Sequence, residues 1–263
     1  MNLLFSITPS FVPLLGSCLR SILKNGGADR YTAYILHSGL SPAACRTLEA
    51  QFGPRLELRF LPVDERLFDG FPEFKRYPRQ IYYRLAAPLL LPPELDRILY
   101  LDVDTVVINP LGPLYNASFD GACFMACTNT RKLLTRVNQL RLGAGEGVPY
   151  INSGVLMMDL AALRRVVSME QIRRYANEMY DRLVLPDQDI LTALYGDRVK
   201  LLDSLVYNLS DRTLRLYNAT PGNEKRDLDW VRRHTVIVHY FGRNKPWKAH
   251  YHGVLGTFYY EFA

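Results

Sequence analysis

Residues 2–36 read NLLFSITPSFVPLLGSCLRSILKNGGADRYTAYIL, and the spacing of apolar residues changes twice within that stretch. Asn2 to Ile7 is a short, nearly continuous apolar run of the kind that makes a buried strand. After Thr8, Pro9 and Ser10 the period lengthens: Leu14, Leu15, Cys18, Leu19, Ile22 and Leu23 fall on one face of a helix, which Asn25, Gly26 and Gly27 end. Tyr31 to Leu36 returns to a strand. Working outward, Ser41 followed by Pro42 forms an N-cap and first-turn pair for a helix through Phe52, stopped by Gly53 and Pro54. Leu56, Leu58 and Phe60 then alternate with Glu57 and Arg59, a strand with one polar face. The order βαβαβ predicts an α/β fold with a mainly parallel central sheet flanked by helices, in which ligands bind beyond the carboxyl ends of the strands.

The rest of the chain extends this pattern. Gln80 to Leu91 reads as helix up to Pro92, and Arg97 to Leu101 as a strand buried on both faces. Asn152, Ser153 and Gly154 make a turn into a strand at Val155 to Met158. Met158 to Tyr180 reads as largely helical, a further helix starts near Pro186, and Val199 to Leu202 and Thr235 to His239 read as strands. With no internal repeat and no low-complexity linker, one domain over residues 1–263 is expected.

Composition narrows the class. With 48% hydrophobic and 22% charged residues the chain can bury a core throughout. A net charge of +6 favours anionic partners such as a nucleotide diphosphate or an acidic lipid surface. Arg and Lys are scattered, the densest group being Arg232 and Arg233 beside His234, which argues against nucleic acid. The four cysteines make no disulfide framework in a chain of this length and suit a reducing compartment. Leu3 to Leu19 is apolar, but no Lys or Arg precedes it and Pro9 and Pro13 interrupt it, so it does not read as a signal sequence. No later segment has the ~18 apolar residues of a membrane span. A cytoplasmic location follows. The basic, aromatic C-terminal region with Lys245, Trp247, Lys248, Tyr251, Phe258, Tyr259 and Tyr260 reads as packing on the domain, with peripheral contact to a membrane as the alternative. No feature fixes an oligomeric state.

Four segments can carry chemistry. Asp102 and Asp104 stand two apart at the end of the buried strand, where alternation points both carboxylates one way. Their mutual repulsion becomes coordination if a divalent cation with a taste for hard oxygen ligands is present, Mn²⁺ or Mg²⁺. The plainer reading, a loop opening that caps the next element, is weakened by a position where such a sheet binds its ligand. His239, at the end of a β-branched strand, is able to offer a neutral imidazole nitrogen to the same ion, Gly242 to allow close backbone approach, and Lys245 to neutralise a phosphate. Asp187, Gln188 and Asp189 begin a helix, where capping alone explains one Asp or two. Asn152 to Gly154 by itself is ordinary turn chemistry.

In their order and separation these segments resemble the family 8 retaining glycosyltransferases, from about Asn2 to Trp247. The most specific matches are Leu99 to Asp104, Asn152 to Gly154, Asp187 to Leu191, and His239 to Trp247 with its Lys-Pro-Trp. The resemblance implies a single Rossmann-like domain of the GT-A type. It implies that Asp102, Asp104 and His239 hold Mn²⁺, and that Gly242 and Lys245 meet the donor's phosphates. It places Arg84 near the donor sugar, with Asn152, Asp187 and Gln188 on that sugar's hydroxyls and Val103 beside the donor. A UDP-sugar donor, a hexose and a glycan or glycolipid acceptor are the implied partners. Thr8, Pro9 and Ser10 stand where family members commonly have two acidic residues and an Asn against the uridine. Thr8 and Ser10 offer hydroxyls there but no carboxylate. No acidic residue stands at Cys127 or Thr128, where one is common near the acceptor. Acceptor contacts are expected from residues 74–83 and 130–149. Gln188, with Asp187, is the expected catalytic group near the reacting carbon. Two other functions fit parts of the pattern: a non-catalytic nucleotide-sugar binding module, and a phosphatase with Asp102 as nucleophile.

Overall fold

The first sixty residues fold as the alternation requires. Strands β1 (Asn2–Ile7), β2 (Tyr31–His37) and β3 (Leu56–Pro62) are mutually parallel, joined by helices Val12–Asn25 and Pro42–Glu49. Ser41 caps the second helix by accepting from the Ala44 N–H. The computed structural model describes residues 1–75, 77–130 and 132–263. Arg76 and Arg131, which fall in the two stretches expected to meet the acceptor, lie outside the described residues.

Strand β4 (Arg97–Leu101) lies parallel beside β1, and the chain then makes the short β5 (Thr105–Val107). Strands β6 (Phe124–Cys127), β7 (Val155–Asp159) and β8 (Val199–Leu202) complete a seven-stranded sheet of order β3-β2-β1-β4-β7-β6-β8. Only β7 runs against its neighbours, β4 and β6. The last strand, β9 (Ile237–His239), leaves this sheet and pairs antiparallel with β5, setting His239 opposite Thr105.

Alternation along the central strands divides the core between two faces. Leu4, Ile98, Tyr100 and Leu156 pack on one side with Tyr83 and Ala87 of helix Tyr83–Leu90 and Ile190 of helix Pro186–Tyr195. Leu3, Leu99 and Met157 pack on the other with Leu15 and Leu19 of the first helix. The proline-rich turn that launches β4 is held by the Arg164 guanidinium, which donates to the carbonyls of Pro88, Pro92, Pro93 and Leu95. Strand order reverses between β1 and β4, the place where a doubly wound sheet opens a crevice at its carboxyl edge.

Several boundaries differ from the sequence reading. Met158 and Asp159 belong to β7, and the segment read as helix to Tyr180 is two helices, Leu160–Val166 and Met169–Glu178, with Asp159 and Ser168 as N-caps. The Gln80–Leu91 helix begins as a 3₁₀ turn, Arg79–Tyr82, before Tyr83–Leu90. The second helix stops at Glu49 rather than Phe52. Among the described residues no helix is long and apolar enough to cross a membrane. The aromatic C-terminus packs inward: Trp247 and Tyr259 meet with ring centroids 5.3 Å apart, and Tyr240 lies edge-on to both.

Leu99 is fully buried at the centre of the strand that carries the aspartates. Leu99→Ala is expected to remove about 2–5 kcal/mol of stability, read as a lower urea midpoint with an unchanged slope.

Candidate active site

The carboxyl end of β4 is pinned across the sheet before it turns. The Asp102 N–H donates to the Gly154 carbonyl at 2.8 Å, and the Thr105 hydroxyl closes the turn on the Asp102 carbonyl, also at 2.8 Å. Thr105 begins β5, so the β5–β9 pairing brings His239 over the same turn. His239 Nε2 lies 3.0 Å from Asp104 Oδ1 and 3.8 Å from Asp102 Oδ2. Three potential ligand atoms, one from each residue, fall within 4.8 Å of one another. A Cβ at Gly154 would stand 2.2 Å from His239 Cε1 and 2.6 Å from Asp102 Oδ2. Only glycine leaves room for the cluster.

A chain of amides sets the state of the imidazole. The Gly154 N–H donates to Asn152 Oδ1 at 3.1 Å, which fixes that amide's orientation. Asn208 Nδ2 donates to the same oxygen at 2.8 Å, so Asn208 Oδ1 is the atom 2.9 Å from His239 Nδ1. An amide oxygen only accepts, so Nδ1 carries a proton, and whenever the ring is neutral its lone pair lies on Nε2. Nε2 is buried and makes no hydrogen bond. A buried, unpartnered nitrogen lone pair facing two carboxylates fits a divalent ion, with Asn208 in the supporting position that metal-binding histidines usually have. Asn208 was not singled out from the sequence. It reaches His239 because the Leu209 N–H and carbonyl bond to β9, a pairing with no local signature.

Lys245 closes the other side of Asp104. Its ammonium bonds Asp104 Oδ2 and lies 2.6 Å from the Tyr240 carbonyl. Burial alone would raise the Asp104 pKa, but the charge of the His239 ring when protonated, together with Lys245, outweighs it and holds the carboxyl well below the usual carboxylate range.

Arg84 organises the neighbouring carboxylates. Its NH2 group is 3.0 Å from Asp102 Oδ1 and its Nε 3.1 Å from Asp187 Oδ2, while NH1 donates to the Ser153 carbonyl at 2.8 Å. The guanidinium stacks on the buried Tyr100 ring, whose hydroxyl donates to Asp102 at 2.7 Å. Burial raises the pKa of Asp187, and Arg84 and the Ser153 hydroxyl work against that rise. Gln188 Oε1 faces the Ser153 N–H at 3.4 Å and Asn152 Nδ2 at 3.5 Å. Capping belongs to the third residue of the motif: Asp189 accepts from the Val184 and Leu185 N–H groups and pairs with Arg141.

In front of these groups opens a cleft of about 600 Å³ whose lining includes Thr8, Ser10, Arg84, Val103, Asp104 and Lys245. Thr8 and Ser10, past the end of β1, share a 2.9 Å hydroxyl–hydroxyl hydrogen bond. Asn152, Asp187 and Gln188 do not line this cleft: Asp187 connects to it through Arg84, while Gln188 joins Asn152 and the Ser153 N–H. Gly242 also lies outside the lining, in a left-handed turn with φ of 87° beyond β9.

The pattern of the family described as Glycosyl transferase family 8 matches residues 2–250. The chain belongs to glycosyltransferase family 8. Among its relatives, General stress protein A of Bacillus subtilis is 26% identical over 258 residues, covering 95% of this chain and 88% of that protein. Lipopolysaccharide glucosyltransferase WaaO of Escherichia coli is 24% identical over 254 residues, 94% and 72% of the two chains. The fold matches that of the galactosyltransferase LgtC, solved with donor and acceptor sugar analogs, with a TM-score of 0.82 at 24% identity, covering 100% of this chain and 95% of that one. The GT-A architecture of family 8 is thereby present here, with its candidate Asp-Asp-His cluster.

Asn208→Ala in this family 8 chain is expected to weaken Mn²⁺ binding roughly 10–100-fold by calorimetric titration, with the circular dichroism spectrum unchanged. Gly154→Ala is expected to abolish the same binding and lower the melting temperature.

Proposed function

We propose that this glycosyltransferase moves a hexose, glucose or galactose, from a UDP-sugar to a hydroxyl of a saccharide or glycolipid, retaining the anomeric configuration. Mn²⁺ is the expected ion, with Mg²⁺ as a substitute, held by Asp102, Asp104 and His239. The observation that carries this reading is the lone pair of His239 Nε2, buried, unpartnered and facing two carboxylates beside the cleft. Relatives named as lipopolysaccharide glucosyltransferases and a 1,3-galactosyltransferase support the hexose and the glycolipid acceptor.

The chemical problem is to break the bond from the anomeric carbon to phosphate while the diphosphate gains negative charge. When bound, the ion neutralises that charge as a Lewis acid. Lys245 adds a second positive charge: its ammonium, bonded to Asp104 at the cleft wall, reaches the departing phosphate by a rotation of its flexible stem. The backbone at Gly242 approaches the same phosphates. Thr8 and Ser10 hydrogen-bond the nucleoside through their hydroxyls, Val103 packs beside it, and Arg84 stands at the sugar.

Asp187, Asn152 and Gln188 orient the sugar hydroxyls. Arg84 keeps Asp187 available as an acceptor by opposing the rise that burial gives its pKa. Gln188 sits next to the reacting carbon, where an amide carries dipole without the basicity of a glycosidase nucleophile. The acceptor hydroxyl then attacks the same face that the diphosphate leaves, and passes its proton to the departing phosphate oxygen. The family assignment displaces the aspartyl-phosphate phosphatase reading of Asp102.

The test is release of nucleoside diphosphate from a panel of UDP- and GDP-sugars with and without Mn²⁺. Metal-dependent release from one UDP-sugar is expected, reduced roughly a hundredfold or more in Asp104→Ala. Release independent of metal, or none from any donor, would contradict the proposal. Gln188→Ala is expected to lower kcat with little change in KM; undiminished turnover removes it from the reaction.

A further inference from the structure

Helix Lys132–Leu142 is amphipathic in the reverse sense. Leu133, Leu134, Val137 and Leu140 are 73%, 45%, 52% and 82% exposed, and the spacing of 133, 137 and 140 puts those three on one outward stripe. Apart from the buried Leu142, the inward contacts are polar. Gln139 Nε2 donates to the Val148 carbonyl at 2.7 Å, and Arg141 reaches Asp189 and Asn138. The stripe borders a depression of about 710 Å³ whose lining includes Leu133, Arg136, Pro149 and the half-exposed Leu201 of edge strand β8. A single exposed leucine needs no explanation, whereas an aligned row of them marks a surface that something covers.

Charge decides between the occupants. The helix contains Lys132, Arg136 and Arg141 and no acidic residue. Arg141 is neutralised by Asp189, while Arg136 is exposed and, on the helical wheel, flanks the stripe. Glu146, in the lining of the depression, is the acidic group nearby in sequence. A second copy docked face to face would set cationic flank against cationic flank. An anionic lipid surface accepts the leucines into its acyl boundary and pairs its headgroups with the exposed Arg136. We propose that helix Lys132–Leu142 docks this protein on an anionic lipid bilayer. The surface is separate from the cleft at Asp102, and the inference stands independently of the donor chemistry proposed above.

The test is co-sedimentation of the full chain with vesicles of phosphatidylglycerol and phosphatidylcholine in equal parts, against vesicles of phosphatidylcholine alone. Binding to the anionic vesicles is expected. It should fall about tenfold or more in the Leu133→Ser, Leu140→Ser double variant, fall in Arg136→Glu and at high salt, and persist in Leu89→Ser, which alters an exposed leucine on another helix. The altered side chains are solvent-exposed, so melting temperatures should match that of the parent, and Arg136→Glu tests the same face without removing a leucine. No binding to anionic vesicles, or equal binding by both helix variants, would overturn the proposal. A dimer in sedimentation velocity that the double variant dissociates would overturn it in favour of a second copy.

Discussion

The Arg84 guanidinium lies within 3.1 Å of carboxylates from two distant segments, Asp102 at the end of β4 and Asp187 at the start of helix Pro186–Tyr195, and also binds the Ser153 carbonyl before β7. Burying carboxylates at these positions without a cation would cost several kcal/mol each, on the order of the penalty for any unpaired buried ion. The arrangement therefore depends on Arg84 staying charged. Burial works against that charge, and the field of Asp102, Tyr100 and Asp187 outweighs it, raising the Arg84 pKa. One cation thus holds the ends of three sheet and helix segments in register and leaves each carboxylate with an oxygen free of the guanidinium.

The same electrostatic problem recurs one turn further on with a different solution. Asp104 is opposed by the ammonium of Lys245 and faces His239, whose ring orientation and Nδ1 proton are fixed by Asn208. A fixed guanidinium suits a permanent scaffold, whereas an ammonium on a flexible stem can exchange its carboxylate for a phosphate. Asp102, Asp104 and His239 would hold a divalent ion, whose positive charge would take the place of the Lys245 ammonium beside Asp104. Gly154 completes the logic: its missing side chain is the space in which His239 and Asp102 approach.

How much of this was readable follows from how local each signal is. Strands β1 to β4 declare themselves through periodicity and turn residues over a few positions, and Asp102 and Asp104 follow directly from where β4 ends. The reversal of β7 and the departure of His239 to a separate pairing with β5 depend on long-range packing, so the sequence shows the strands but not their partners. The acidic helix start illustrates the limit at single-residue level. Asp187 and Asp189 look alike in the sequence, yet Asp189 turns back to cap its own helix while Asp187 faces Arg84. Asn208 carries no motif, because its role exists only through a neighbouring strand. The Lys132–Leu142 stripe was hidden for a different reason: its apolar spacing is that of a core-facing helix, and only the fold shows that it faces out.

The central claim is that His239 offers an unprotonated Nε2 to a divalent ion shared with Asp102 and Asp104. Electron spin-echo envelope modulation of the protein with one equivalent of Mn²⁺ tests it most directly. Modulation from a single directly coordinated imidazole nitrogen is expected, lost in His239→Gln. Tightly bound Mn²⁺ with no nitrogen coupling, or coupling that survives in His239→Gln, would contradict it.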